Sequence, residues 1–141
     1  MIKIWRELAF NTRAATEFLE ITRDLAVDLQ KAGVRQGVGT IFIPHTTAGL
    51  MLNENADPDV LYDLKLAFDQ IFPHSLNRAH QEGNSAAHLR AALVGSSLHL
   101  PVEDGRLRLG TWQGVYLCEF DGPRRRRILV RWDGNKTGER V

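Results

Sequence analysis

The spacing of apolar residues changes several times along the chain, and each change marks an element. Ile2, Ile4, Leu8 and Phe10 stand among polar neighbours, as in a half-buried strand ending near residue 10. Residues 11–15 are turn-like, and residues 17–20 form a second short strand. Ile21, Leu25, Leu29 and Ala32 then recur at i, i+4, i+8 and i+11, the stripe of an amphipathic helix. Thr22 is its expected N-cap, Asp24 lies in its first turn, and Gly33 stops it. Gly37 and Gly39 open a strand over residues 40–43 that Pro44 ends, and residues 48–52 read as the return strand. Asp57-Pro58 is a helix start, with a capping carboxylate before proline at the first helical position. Leu61, Leu64, Phe68 and Ile71 form the stripe this helix is expected to bury, and Pro73 stops it.

A shorter third helix is expected from Asn84 or Ser85, with Leu89, Ala92 and Leu93 as its apolar face and Gly95 as its C-terminal cap. The remainder reads as strands over residues 97–102, 107–109, 112–120 and 127–132. Glu103-Asp104-Gly105-Arg106 is a tight hairpin turn and Gly122-Pro123 a second turn. Helices and strands mix without strict βαβ alternation, so the fold class is α+β.

Length bounds this further: 141 residues make one domain, assigned to residues 1–133, with 134–141 as a polar tail. A (β/α)₈ barrel, which needs about 250 residues, is excluded. A net charge of +1 gives no basic excess for general nucleic-acid binding. No window holds the roughly 18 apolar residues of a membrane span, and the N-terminus lacks the apolar stretch of a signal peptide. The single Cys118 excludes an internal disulfide and a CxxC metal motif, and its apolar strand setting points to an inert thiol. A reducing, cytoplasmic setting follows as the expectation. Gly33, Gly37 and Gly39 precede a strand, the reverse of the dinucleotide fingerprint, so that reading is rejected.

The chemistry concentrates in histidines and polar loops. His45 follows the strand ended by Pro44, His80 lies in the loop before the third helix, and His88 lies in that helix's first turn; His74 and His99 have no such company. Three imidazoles with an open fourth position suit a catalytic metal, although the spacing 45, 80, 88 matches no short zinc signature. The alternative for each is a hydrogen-bonded loop histidine. Asn53 and Glu54 precede the capping Asp57, and Glu54 has the chemistry of a general base or of a group orienting a metal-bound histidine. Asn84 and Ser85, beside a helix N-terminus, make a candidate anion site. Within Arg124-Arg125-Arg126-Arg127, alternate side chains face opposite sides if the run enters a strand; half could grip a phosphate or a carboxylate partner, and a solvated strand start or a subunit-interface ion pair is the bland reading for Arg125 and Arg127. Trp112, Phe120 and Trp132 offer apolar area for association.

The blocks FIPHTTA (42–48), NENADPD (53–59), GNSAAHL (83–89), LGTWQ (109–113) and EFDGPR (119–124) resemble the YjbQ family, also named secondary thiamine-phosphate synthase enzymes. The likeness spans about residues 5–133. It implies a β-sandwich with two main helices and a short third one, a homotrimer, and weak thiamine-phosphate synthase activity that joins hydroxymethylpyrimidine diphosphate to thiazole phosphate with release of pyrophosphate. It also implies a divalent metal, zinc by preference or magnesium with the substrate, at His45, His80 and His88. Catalytic roles fall to Glu54, His45 and His88, and phosphate binding to Asn53, Asn84, Ser85 and Arg124. The expected partner is a small phosphorylated metabolite, with no nucleic acid and no membrane. The competing reading is a non-catalytic metal- or phosphometabolite-binding trimer with incidental synthase activity.

Overall fold

The computed structural model describes residues 4–75 and 83–136. Its elements run β1 (Arg6–Asn11), β2 (Glu17–Glu20), α1 (Thr22–Ala32), β3 (Val34–Phe42), β4 (Ala48–Glu54), α2 (Pro58–Ile71), α3 (Ser85–Val94), β5 (Ser97–Glu103), β6 (Arg106–Leu107), β7 (Gln113–Glu119) and β8 (Arg125–Lys136). The strands form two antiparallel sheets, one of five strands in the order β1-β8-β3-β5-β6 and one of three in the order β2-β7-β4. The fold is α+β, as the pattern predicts. No helix among the described residues is long and apolar enough to cross a membrane.

The two-residue period of a strand explains how the layers assemble. Along β7, Val115 and Leu117 turn toward Ile41, Ile128 and Val130 of the larger sheet, with Leu50 of β4 and Leu25 of α1 in the same core. The intervening Tyr116 and Cys118, followed by Phe120, face the other way onto Phe68 of α2 and Ala87 and Ala91 of α3. A strand covered on both faces reads as the near-continuous apolar run found at 115–118. Burial pushes the Cys118 thiol far up, so it is an inert packing residue.

Several boundaries differ from the sequence expectation. Thr22 is the first helical residue of α1 and not its cap: its Oγ1 accepts the Val115 N–H (2.8 Å), tying α1 to β7. Gly33 ends α1 in the left-handed conformation, and Asp57 caps α2 by accepting the Asp59 N–H at 2.9 Å. β3 starts at Val34, so Gly37 and Gly39 lie inside it. A Cβ at Gly39 would stand 2.3 Å from the Trp132 ring, which lies across it. β8 continues through Lys136 by pairing with β3, so residues 134–136 are strand and not tail. Residues 137–141 lie outside the described residues.

The helices on the outer face of the smaller sheet bury less than their patterns suggest. On α2 only Phe68 is fully buried, and Ile71 is 60% exposed. α3 presents Ala86, Ala87, Arg90 and Ala91 inward and leaves Leu89 and Leu93 outside, the reverse of the expected face. Arg90 accounts for the reversal. Its guanidinium donates to the Phe72 carbonyl (2.7 Å) and to Asp69 Oδ1 (3.2 Å), bolting α3 to the end of α2, and small alanines beside it permit the close approach.

Candidate functional site

His45 leaves β3 and Ala48 begins β4, so residues 43–47 form a short crossing from one sheet to the other. Ile43 N–H donates to the Ser96 carbonyl (2.9 Å) and Leu50 N–H to the Gly95 carbonyl (3.0 Å), which fastens this crossing to the end of α3. His45, Thr46 and Ala48 thereby form one wall, and His88, Ala91, Ala92, Gly95 and Ser96 the other, of an open cleft of about 320 Å³. Two of the three expected histidines, far apart in sequence, meet there. His80 lies outside the described residues.

The Arg127 N–H donates to His45 Nε2 at 3.0 Å. A neutral imidazole that accepts at Nε2 carries its proton on Nδ1, so its remaining nitrogen is a donor. Burial, then the nearby Arg126 and Arg127 guanidinium groups, hold the His45 pKa below the ordinary imidazole value and favour this neutral form. Metal ligation needs an unprotonated nitrogen with a free lone pair. With Nε2 engaged and Nδ1 protonated, His45 in this arrangement has none. Among the described residues no three His, Cys, Asp or Glu side chains converge as a metal site. The described donor set therefore does not fit a metal at His45.

Beneath His45 lies a polar group that the sequence expectations do not include. Glu119 and Arg126 are 0% and 2% exposed and form an ion pair between the sheets, with Arg126 Nε donating to Glu119 Oε1 at 2.8 Å. Arg126 also donates to the Thr47 carbonyl (3.1 Å) and Oγ1 (2.8 Å). Thr12 Oγ1 donates to Glu119 Oε1 (2.7 Å), and the Asp121 N–H donates to Glu119 Oε2 (3.0 Å). The signal was present: Arg126 shares the parity of Ile128 and Val130, and Glu119 that of Val115 and Leu117. Arg125 and Arg127 are exposed, as the bland reading of them expects.

The other expected site residues fall into two places. Asn84 is the N-cap of α3, and its Nδ2 donates to Asp121 Oδ2 (2.9 Å), the oxygen that also accepts from the Arg124 guanidinium (3.0 Å). Asn84, Ser85 and Arg124 thus surround a helix N-terminus beside which the protein's own carboxylate, Asp121, already stands. Asn53 and Glu54 lie at the far end of β4. Six residues of strand at ~3.3 Å each put Glu54 about 20 Å from Ala48. There the Glu54 carbonyl accepts from Tyr116 Oη (3.0 Å) and its carboxylate accepts the Asp57 N–H (3.3 Å), while Asn53 Oδ1 accepts the Glu54 N–H (2.8 Å). Within one chain, Glu54 does not share the His45–His88 cleft. A larger recess, about 580 Å³, lies between α1 and the β5–β6 hairpin and contains none of the expected residues.

The family model described as UPF0047 protein YjbQ-like matches residues 6–135. The chain belongs to the YjbQ/UPF0047 family. The YugU protein of Bacillus subtilis is 49% identical over 131 residues, covering 92% of this chain and 98% of that protein. A UPF0047 protein of Methanocaldococcus jannaschii is 40% identical, covering 96% and 99%. Among solved structures, a YjbQ/UPF0047 protein of Clostridium acetobutylicum described as uncharacterized superposes with a TM-score of 0.88 at 44% identity, covering 91% of this chain and 99% of that one. A YbjQ-like protein of unknown function from Sulfolobus solfataricus gives 0.88 at 30% identity, covering 93% and 96%. Membership of the YjbQ family thus supports the resemblance read from the motif blocks.

Proposed function

We propose that this YjbQ-family chain binds a phosphorylated small metabolite in the His45–His88 cleft, and that its chemistry is the thiamine-phosphate synthase reaction implied by the motif blocks. The observation that carries the reading is the meeting of His45 and His88 at one cleft, with His45 held neutral and protonated at Nδ1. In the reaction, the thiazole nitrogen lone pair forms a C–N bond to the pyrimidine methylene carbon. The C–O bond to the diphosphate breaks, and its electron pair leaves with pyrophosphate. Charge grows on the leaving oxygen, and a neutral N–H donor fixed in advance stabilises such charge without reorganising.

The position of Glu54 favours the binding-only reading as the competitor, because the carboxylate expected to serve as acid or base stands at the other end of β4. Purified protein with hydroxymethylpyrimidine diphosphate and thiazole phosphate decides between them. Formation of thiamine phosphate that is lost in His88→Ala supports the synthase. Saturable pyrophosphate binding without any product supports the binding protein. Product formation unchanged in His88→Ala overturns the site.

A further inference from the structure

Among the described residues, Glu119 and Arg126, with the threonines that touch them, form a buried polar group beside the apolar core between the two sheets. Taking both charges out of water is costly, and well-packed apolar residues commonly give equal or greater stability in their place. Stability alone therefore does not account for the pair. Its contacts do. Arg126 grips Thr47 by two hydrogen bonds, and Thr47 is two residues from His45. The residue after Arg126 is Arg127, whose N–H donates to His45 Nε2. Glu119 holds Arg126 and is itself held by Thr12 and by the Asp121 N–H. One buried pair thus fixes both backbone segments, 45–47 and 126–127, whose separation sets the His45 hydrogen bond.

The geometry points to Glu119 and Arg126 as positioning residues that fix His45 in the Nδ1–H tautomer, making it a hydrogen-bond donor to an anionic oxygen in the cleft and not a metal ligand. The tautomer and its dependence on the pair rest on the contacts above. Only the anionic occupant rests on the proposed function. Gly122 belongs to the same construction: a Cβ there would lie 2.3 Å from the Ala14 carbonyl oxygen and 2.8 Å from Glu119 Cγ, so the turn closes over the carboxylate only with glycine.

Long-range ¹H–¹⁵N correlation spectra of the full-length, uniformly labelled protein at neutral pH read the tautomer of each histidine directly. Wild type is expected to show a protonated Nδ1 and an unprotonated Nε2 at His45. Arg126→Met strands a buried carboxylate and can fail to fold, so the deciding variant is Glu119→Met/Arg126→Met, which removes both charges together. It is expected to fold, to lose the single Nδ1–H signature at His45, and to lose pyrophosphate affinity at least tenfold. Thr47→Val, a milder change, is expected to shift the same signals partway. A double variant that keeps both the signature and the affinity overturns the positioning role. So does a wild-type His45 protonated at Nε2, or one whose Nε2 leaves the Arg127 amide to bind added zinc. Absence of thiamine phosphate with the tautomer dependence intact overturns the proposed reaction and leaves the positioning role standing.

Discussion

Arg126 of the five-stranded sheet and Glu119 of the three-stranded sheet are joined by a solvent-shielded ion pair across the sandwich. Removing one partner leaves the other charged and enclosed, which typically costs about 3–5 kcal/mol. Arg126→Met is therefore expected to lose about that much stability. Replacing both residues by methionine is expected to recover most of the loss. Urea denaturation midpoints of the three proteins check this, and a double variant no more stable than the single one would contradict it.

The same pair predicts an acid limit. Burial raises the Glu119 pKa, but hydrogen bonds from Arg126, Thr12 and the Asp121 N–H outweigh it and hold the carboxyl below its usual range. A depressed native pKa means that the unfolded chain binds more protons in acid, so stability falls as pH drops from the usual value near ~4.3 toward the native one. His45, also held low, adds a loss of the same sign beginning near ~6.5. Stability measured in urea should be flat from about pH 8 to 7 and then decline into acid. Thr12→Val removes one donor to Glu119 and should make the lower part of that decline shallower.

Gly39 and Trp132 make a separate test of packing. The indole lies over Gly39 and donates from Nε1 to the buried Asp28 (2.8 Å), which also pairs with Arg6 (2.9 Å). Gly39→Ala displaces the ring and is expected to cost about 1–3 kcal/mol, the range for overpacking. The environment of Trp132 should change with it, read as a shift in tryptophan emission, while the histidine signals at the cleft stay in place.

Much of this architecture was legible in the sequence, and the parts that were not share a cause. Helix ends announced by Gly33 and Asp57-Pro58 are local chemistry, and they stand where the pattern puts them. The meeting of His45 with His88 depends on a crossing between sheets, and the motif blocks carried it where the periodicity did not. The inward face of α3 differs from the periodic expectation, because Arg90 goes inside and Leu89 and Leu93 stay out. Leucine is ordinarily buried in preference to arginine, and the Phe72 carbonyl and Asp69 that receive the Arg90 guanidinium reverse that order. The resemblance groups Glu54 with His45 and His88, yet β4 is an extended strand and carries Glu54 to its far end.

Those outward side chains bear on assembly. Leu93, Tyr62 and Ile71 on the two outer helices and Trp112 before β7 are each at least 60% exposed. Of the aromatic residues expected to serve association, Phe120 is instead buried in the helix-side core and Trp132 is packed over Gly39, which leaves Trp112. Light scattering at low micromolar concentration is expected to give about three times the chain mass of 15.9 kDa, the trimer implied by the resemblance. Leu93→Glu should shift the mass downward if α3 lies in the interface. A monomer mass for the wild-type protein would contradict the expectation.

Titration of inorganic pyrophosphate into ¹⁵N-labelled protein tests whether the His45–His88 cleft receives a phosphate-bearing ligand. Saturable shifts are expected in the ring signals of His45 and His88 and in the Arg127 amide, larger than any at His99, with the His88 and Arg127 shifts lost in His45→Ala. Shifts confined to the recess at Gly33 and Gly105, or no saturable change at either histidine, would contradict it.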